Sequence, residues 1–366
     1  MIMKIAILGT RGIPSNYGGF ESFAEELSSR LVKKGHEVIV YCRKGNSSYN
    51  QNFYKGVKLI ILPTIRHKYF DTVAHTFLSV WHVSFSDVEI VYICNVINAI
   101  FAVVPMIFGK KVIINVDGLE WKRTKWNKIG KIAYRISERI ATVFSHIIIS
   151  DSKAIQAYYK ERFNKDTYFV PYGAERKTVD KAEEILKGLA LKPRKYFLYV
   201  SRLEPENNAH LFIKAYEQVK TDYPLVIVGS APYSHAYIKQ LKTTKDKRIR
   251  FLGPIYGNGY YALQENAYVY FHGNEVGGTN PALLEAMVYG NCIIANGVPF
   301  NREVLGEAGI CFKESDVKDL IDKINFTIQH PEQLDIYRHR AIERVKNYYN
   351  WDDVVQKYES LFRMLL

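Results

Sequence analysis

The chain has 366 residues, 48% hydrophobic and 24% charged, which suits a globular protein of about two domains and excludes a fibrous or low-complexity chain. Its net charge of +13 is uneven: residues 1–175 hold 24 Lys and Arg against 14 Asp and Glu. A basic first half points to an anionic partner, whether nucleic acid, a phosphorylated substrate or a membrane surface. Cys42, Cys94, Cys292 and Cys311 form no CxxC pair and have no metal-like spacing with histidine. The start, MIMKIAILG, lacks a signal-peptide pattern, so these cysteines are expected to be reduced thiols of a cytosolic protein.

Taken in order, MKIAILG (3–9) predicts a strand entering a glycine-rich turn, then a helix at about 20–34 closed by Gly35. A second strand starts at Glu37, giving a βαβ opening to a parallel sheet. Further strands are expected at 57–62, 88–93, 111–116 and 146–150. The uncharged stretch VYICNVINAIFAVVPMIF (91–108) approaches the length of a membrane span. Asn95, Asn98 and Pro105 interrupt it, so a buried strand, a loop and a helix are expected instead. WKRTKWNKIGKIAYR (121–135) interleaves Trp121, Trp126, Ile129, Ile132 and Tyr134 with six cations. Such a segment suits either an anionic lipid surface or a solvated helix whose apolar side joins the core.

Around 171–195 the alternation lapses into a linker with one short helix. Strands resume at 195–201, 224–229, 248–253, 267–272 and 291–296, and charged amphipathic helices fill 316–366. In GGTNPALLEAM (277–287), Gly277 and Gly278 permit close backbone approach and Pro281 suits the first helical position. The helix start behind them favours phosphate. The expected fold is α/β, with Rossmann-like domains at 1–175 and 176–345 and a terminal helix, 346–366, returning toward the first. Two such domains facing a central cleft would bring the glycine-rich loops 9–19 and 277–280 to one phosphorylated ligand.

GTRGIPSNYGGFE (9–21), VDGLEWKRTKW (116–126), SRLEPENN (201–208) and EVGGTNPALLEAM (275–287) together resemble the GT-B glycosyltransferases of the family-4 type. Within that type they are similar to bacterial β-1,4-rhamnosyltransferases acting on lipid-linked saccharides. The resemblance implies a retaining transferase that uses a nucleotide sugar, needs no metal and has no other cofactor; the chain has no DxD. By resemblance, Arg202 binds the donor diphosphate, aided by Gly277, Gly278 and the N–H groups of Thr279 and Asn280. Glu285, the second glutamate of the E-x7-E motif, accepts hydrogen bonds from the ribose. Gly18 and Gly19 match the N-terminal glycine pair, and Arg11 in the same loop is a candidate for an acceptor phosphate. Tyr256 is a candidate against the nucleobase, with core packing as its alternative.

Three positions depart from the family pattern. The first glutamate of E-x7-E is Gly277, the lysine usual after the arginine is Asn207, and the histidine usual before a glycine near the donor sugar is Asp117. A 6-deoxy sugar offers no 6-hydroxyl for that histidine, which favours dTDP-L-rhamnose as donor over a UDP-hexose or UDP-N-acetylhexosamine. The resemblance implies attack on the face the diphosphate leaves, with the departing oxygen taking the proton. Asp117 and Glu120 are alternative acid–base candidates, against a capping role for the first and an ion pair with Lys122 or Arg123 for the second. The basic domain suits an acceptor on a lipid diphosphate. Trp121, Lys122, Arg123, Lys125, Trp126 and Lys128 would then touch the cytoplasmic face of the bacterial plasma membrane. A dehydrogenase is disfavoured, because the first loop is not GxGxxG and the second strand ends in Cys42-Arg43-Lys44 without a ribose-binding acid. No nucleic-acid recognition module appears, so no nucleic acid is expected as partner.

Overall fold

The computed structural model describes all residues except 16, 17, 47, 48, 50, 66, 68, 69, 125, 232 and 233. The described chain divides into two compact units, Met1–Tyr172 with Trp351–Leu366, and Gly173–Asn350.

The first unit runs β1 (Lys4–Leu8), α1 (Gly19–Lys33), β2 (Glu37–Arg43), β3 (Phe53–Tyr54), β4 (Val57–Leu62), α2 (Asp71–Ser84) and β5 (Ile90–Cys94). It continues through α3 (Val103–Ile107), β6 (Lys111–Asn115), α4 (Lys128–Val143), β7 (Ile147–Ser150), α5 (Lys153–Phe163) and β8 (Tyr168–Phe169). The sheet order is β3-β4-β2-β1-β5-β6-β7-β8, parallel except where β3 folds back on β4. Central strands β5 and β6 are near-continuous apolar runs, as burial on both faces requires. Helix α1, with Phe23 against Tyr92, covers one face of this sheet, and helices α2, α3 and α4 cover the other. On that second face Val91, Ile93, Val112 and Ile114 pack under Val80 and Val83 of α2 and Tyr134 and Ala141 of α4. The uncharged stretch 91–108 becomes the rest of β5, a 3-10 turn at Val96–Phe101, and α3. Among the described residues no helix is long and apolar enough to cross a membrane.

The second unit contains α6 (Ala182–Gly188), β9 (Phe197–Val200), α7 (Ala209–Tyr216), β10 (Leu225–Val228), α8 (His235–Leu241), β11 (Ile249–Gly253) and α9 (Gly257–Glu265). Then come β12 (Val269–His272), α10 (Pro281–Val288), β13 (Ile293–Asn296), α11 (Pro299–Leu305), β14 (Ile310–Phe312), α12 (Val317–Gln329) and α13 (Pro331–Tyr348). Its all-parallel sheet has the order β11-β10-β9-β12-β13-β14. Phe271 stacks between Phe197 and Phe212, at centroid distances of 5.2 and 5.0 Å, and anchors the core.

The final helix, α14 (Trp351–Arg363), packs in the first unit. The Tyr358 ring lies 5.5 Å from Phe23 and 5.6 Å from Tyr92, and the two tyrosine hydroxyls are 3.1 Å apart. On its edge, Lys34 donates to Glu359 at 2.8 Å. The Lys34 and Arg363 hydrogen bonds hold the Glu359 carboxyl down at about 2.

Candidate active site

In an open parallel sheet, ligands bind beyond the carboxyl ends of strands where the order reverses. In the second unit that point lies between β9 and β12, so the loops following them are neighbours by topology. Arg202 stands two residues after β9, and Gly277 to Asn280 lie between β12 and α10. The loops are stitched together. Asn208 donates through Nδ2 to the Gly273 carbonyl at 2.9 Å and to Glu275 Oε1 at 2.7 Å, while the Glu275 N–H donates to the Glu206 carbonyl at 3.0 Å.

Arg202 is half-buried and its guanidinium lies 3.9 Å from the Glu204 carboxylate. Asn207 does not face this opening: it is buried, and its Nδ2 donates to the Arg202 carbonyl at 2.7 Å. A role for Asn207 in touching the donor is therefore replaced by one in bracing the arginine loop. Pro281 is the first residue of α10, and Asn280 caps it by accepting from the Ala282 N–H at 3.0 Å. Ala282 N–H is thereby occupied and Pro281 has none, so neither of these first two helical positions offers a donor to an anion. Gly277 has φ +154 with open space where a Cβ would project, a backbone state that L residues rarely adopt. Glu275, two residues before, is held by Asn208 and by Ser315 Oγ, each at 2.7 Å, and does not take the missing glutamate's place.

Glu285 lies on the half-buried side of α10 and accepts from Tyr260 Oη at 2.6 Å. Tyr260 in turn accepts from Gln264 Nε2 at 2.9 Å, so a buttress fixes the carboxylate. Sequence reasoning missed Tyr260, because the pairing joins α9 to α10 across the fold. Tyr260→Phe is expected to raise the KM for donor by about three- to tenfold with little change in kcat, the loss of one orienting hydrogen bond to a charged group. Steady-state kinetics with varied donor checks this. Tyr256, 59% exposed at the entrance to α9, is not packed in the core.

In the first unit the corresponding reversal lies between β1 and β5, and the loop after β1 crosses it. Glu21, at the start of α1, organises that loop by accepting from the Arg11 N–H at 2.9 Å. Gly18 has φ +114, and a Cβ there would meet the Glu21 carboxylate at 2.1 Å. The φ favours glycine at 18, a side chain there would displace the Glu21 carboxylate from the loop, and Glu21 is the partner the sequence did not reveal. Gly19 is exposed as the first residue of α1, and Arg11 is half-buried.

Beyond β6 and β7 the chain gathers carboxylates. Asp117 has φ +46, and its N–H donates to Asn115 Oδ1 at 2.9 Å. Burial, reinforced by the Glu120 charge, pushes its carboxyl above the usual range, while Arg123 and a hydrogen bond with Asp151 act the other way. Asp151 is wholly buried after β7 and had no distinguishing signal in the sequence beyond its place after a strand. Glu120 is 6% exposed and meets Arg123 Nε at 2.5 Å. This is the ion pair with Arg123 expected as the alternative to its acid–base role.

The same pair corrects the surface expected of 121–128. Arg123 is 6% exposed and faces inward. Trp121 and Trp126 pack against the core, Trp126 5.2 Å from the Tyr134 ring and Trp121 beneath the Arg135 guanidinium at 4.3 Å. Lys122 and Lys128 are exposed, and Lys125 lies outside the described residues.

Residues 180–348 match the family described as glycosyl transferases group 1. That match spans nearly the whole of the second unit. Residues 2–175 match a domain of unknown function, DUF1972. An uncharacterized glycosyltransferase of Methanocaldococcus jannaschii is 25% identical over 71% of this chain and 70% of its own. An O-antigen chain mannosyltransferase of Escherichia coli is 24% identical over 50% of this chain and 49% of its own. A D-rhamnosyltransferase of Pseudomonas aeruginosa is 25% identical over 40% and 39%. Among solved structures, sucrose-phosphate synthase from Thermosynechococcus elongatus superposes with a TM-score of 0.85 at 18% identity, covering 99% of both chains. The Anabaena protein HepE, solved with UDP-glucose, gives 0.80 at 16% identity over 99% of this chain and 100% of its own. The chain therefore has the GT-B fold, with two Rossmann-like units.

Proposed function

We propose that this glycosyltransferase moves L-rhamnose from dTDP-L-rhamnose, with retention and without metal, onto a glucose or N-acetylglucosamine carried by a lipid diphosphate. The observation that carries the donor assignment is Gly277. The usual glutamate is replaced there by a glycine whose φ of +154 disfavours any side chain. Asp117 in place of the sugar-binding histidine fits a donor with no 6-hydroxyl, and the Pseudomonas relative is named for a 6-deoxy sugar. Arg202 and the N–H groups of residues 277–280 would offset the leaving diphosphate, and Glu285 would hold the ribose. The acceptor hydroxyl would attack from the side of the leaving phosphate, whose oxygen takes the proton, with Asp117 orienting that hydroxyl. Arg11, Gly18 and Gly19 would border the acceptor phosphate. The enzyme would work at the inner face of the bacterial plasma membrane in cell-surface polysaccharide synthesis.

A second reading, a UDP-hexose donor, is favoured by the likeness to a structure solved with UDP-glucose. Turnover of dTDP-L-rhamnose, UDP-glucose and UDP-N-acetylglucosamine on both lipid-linked acceptors, with chelator present, separates the two. Rhamnose transfer alone is expected. Transfer from a UDP sugar alone overturns the donor, and dependence on added divalent cation overturns the metal-free mechanism.

A further inference from the structure

Helix α4 is turned against its own hydrophobic pattern. Its inward side presents Tyr134, Ser137, Glu138 and Ala141, with Glu138 accepting from Tyr158 Oη at 2.8 Å. Its outward side carries Ile129, Ile132 and Ile136, exposed by 76%, 57% and 53% and spaced three and four apart, so they line one stripe. A soluble helix ordinarily does the reverse.

A second apolar cluster lies on the same face of the sheet. Phe77, Trp81 and Phe85 follow one another at four-residue steps along and just beyond α2, and Ile107 and Phe108 close α3. Phe85 meets Phe108 at a centroid distance of 4.8 Å and Trp81 meets it at 6.3 Å, yet Phe85 remains 73% exposed and Ile107 76%. The rings are thus held in place by one another while their outer edges face solvent. An exposed cluster of this kind marks an interaction surface.

Charge selects the partner. Beyond Asp71, neither α2 nor α3 contains a carboxylate. On α4 the one carboxylate, Glu138, is buried, while Lys128, Arg135 and Arg139 are exposed. Aromatic and branched aliphatic side chains beside cations, with no exposed acid among these helices, match the interface of an anionic bilayer rather than a mixed-charge protein surface.

We infer that the outer face of α2, α3 and α4 inserts into the headgroup region of an anionic membrane, with Phe85, Ile107 and the α4 isoleucines entering and the α4 cations meeting lipid phosphates. The contact is thereby moved from Trp121 and Trp126 to residues that leave the core. A membrane as occupant follows from the lipid-linked acceptor proposed above, whereas the surface is defined without it.

The test is flotation of the full-length protein with vesicles of phosphatidylcholine alone or mixed equally with phosphatidylglycerol. The wild type is expected to bind the mixed vesicles in a salt-sensitive way and not the neutral ones. The paired variants Phe85→Ser with Ile107→Ser, and Ile132→Ser with Ile136→Ser, are expected to bind at least about tenfold more weakly with unchanged melting and unchanged turnover on a detergent-dispersed acceptor. Wild type that ignores anionic vesicles, or paired variants that bind as well as wild type, overturns the surface. So does loss of self-association in the variants with vesicle binding intact, which would mark a face between copies. Absence of vesicle binding alongside sugar transfer in detergent sinks the surface and leaves the proposed reaction standing. Vesicle binding with no transfer to a lipid-linked acceptor supports the surface and sinks the acceptor.

Discussion

Replacing Arg202 with alanine is expected to lower kcat/KM for the sugar donor by about 10²- to 10³-fold, while the melting transition stays in place. The two halves of that result have separate causes. In the fold, the guanidinium contributes only a 3.9 Å approach to Glu204 with its side chain 38% exposed, an interaction of about 0–1 kcal/mol. The loop itself is braced through the Arg202 carbonyl, which the substitution retains. In the proposed reaction, negative charge would grow on the diphosphate as the donor's sugar–phosphate bond breaks, and where the family usually has a lysine this chain has the buried Asn207. On that proposal Arg202 would carry more of the charge than it would beside a second cation. Arg202→Lys is expected to recover part of the rate, since it keeps the charge and loses the fork geometry. A near-normal kcat/KM in the alanine variant would remove Arg202 from the donor site.

Arg123→Ala is expected to destabilise the first unit by about 3–5 kcal/mol at neutral pH, because it strips the partner from a carboxylate that is 6% exposed. The pH dependence has a definite sign. Asp117 is raised in the fold, chiefly by burial, with Glu120 adding and Arg123 opposing. A raised carboxyl costs the fold nothing when protonated. It costs stability as pH climbs past the unfolded value of about 3.9, and the full cost is reached above its folded value. Removing Arg123 lifts Asp117 further, so the variant's deficit is expected to widen with rising pH and narrow in acid. Urea unfolding of wild type and variant between pH 4 and 8 measures it. A deficit independent of pH, or one that grows in acid, would refute the arrangement.

The strands were legible where β-branched residues ran unbroken, and VKLIIL became β4 over the residues expected. The hairpin strand β3, the edge β8 and the three-residue β14 were not, since two or three residues carry no period and exist only by pairing with a neighbour. At the site, Arg202 and Pro281 could be placed because each sits at a fixed offset from an apolar strand or a helix start. Tyr260, Glu21 and Asp151 could not, because their roles arise from elements distant in sequence. Trp121 and Trp126 misled for another reason. The spacing of 121–135 reads as one amphipathic helix, but α4 begins only at Lys128, so the two tryptophans lie before it and pack inward while Ile129, Ile132 and Ile136 of the helix stay exposed.

The return of α14 to the first unit also has a consequence for how the protein is born. Gly173–Asn350 is one uninterrupted stretch and is complete once it leaves the ribosome. The first unit, although begun earlier, still lacks the Tyr358 and Phe362 rings that cover Phe23 and Tyr92 until α14 emerges. The usual amino-to-carboxyl order of maturation is thereby inverted. A nascent chain cut short within α14 would carry a completed Gly173–Asn350 unit and a first unit whose Phe23 and Tyr92 rings lack their cover.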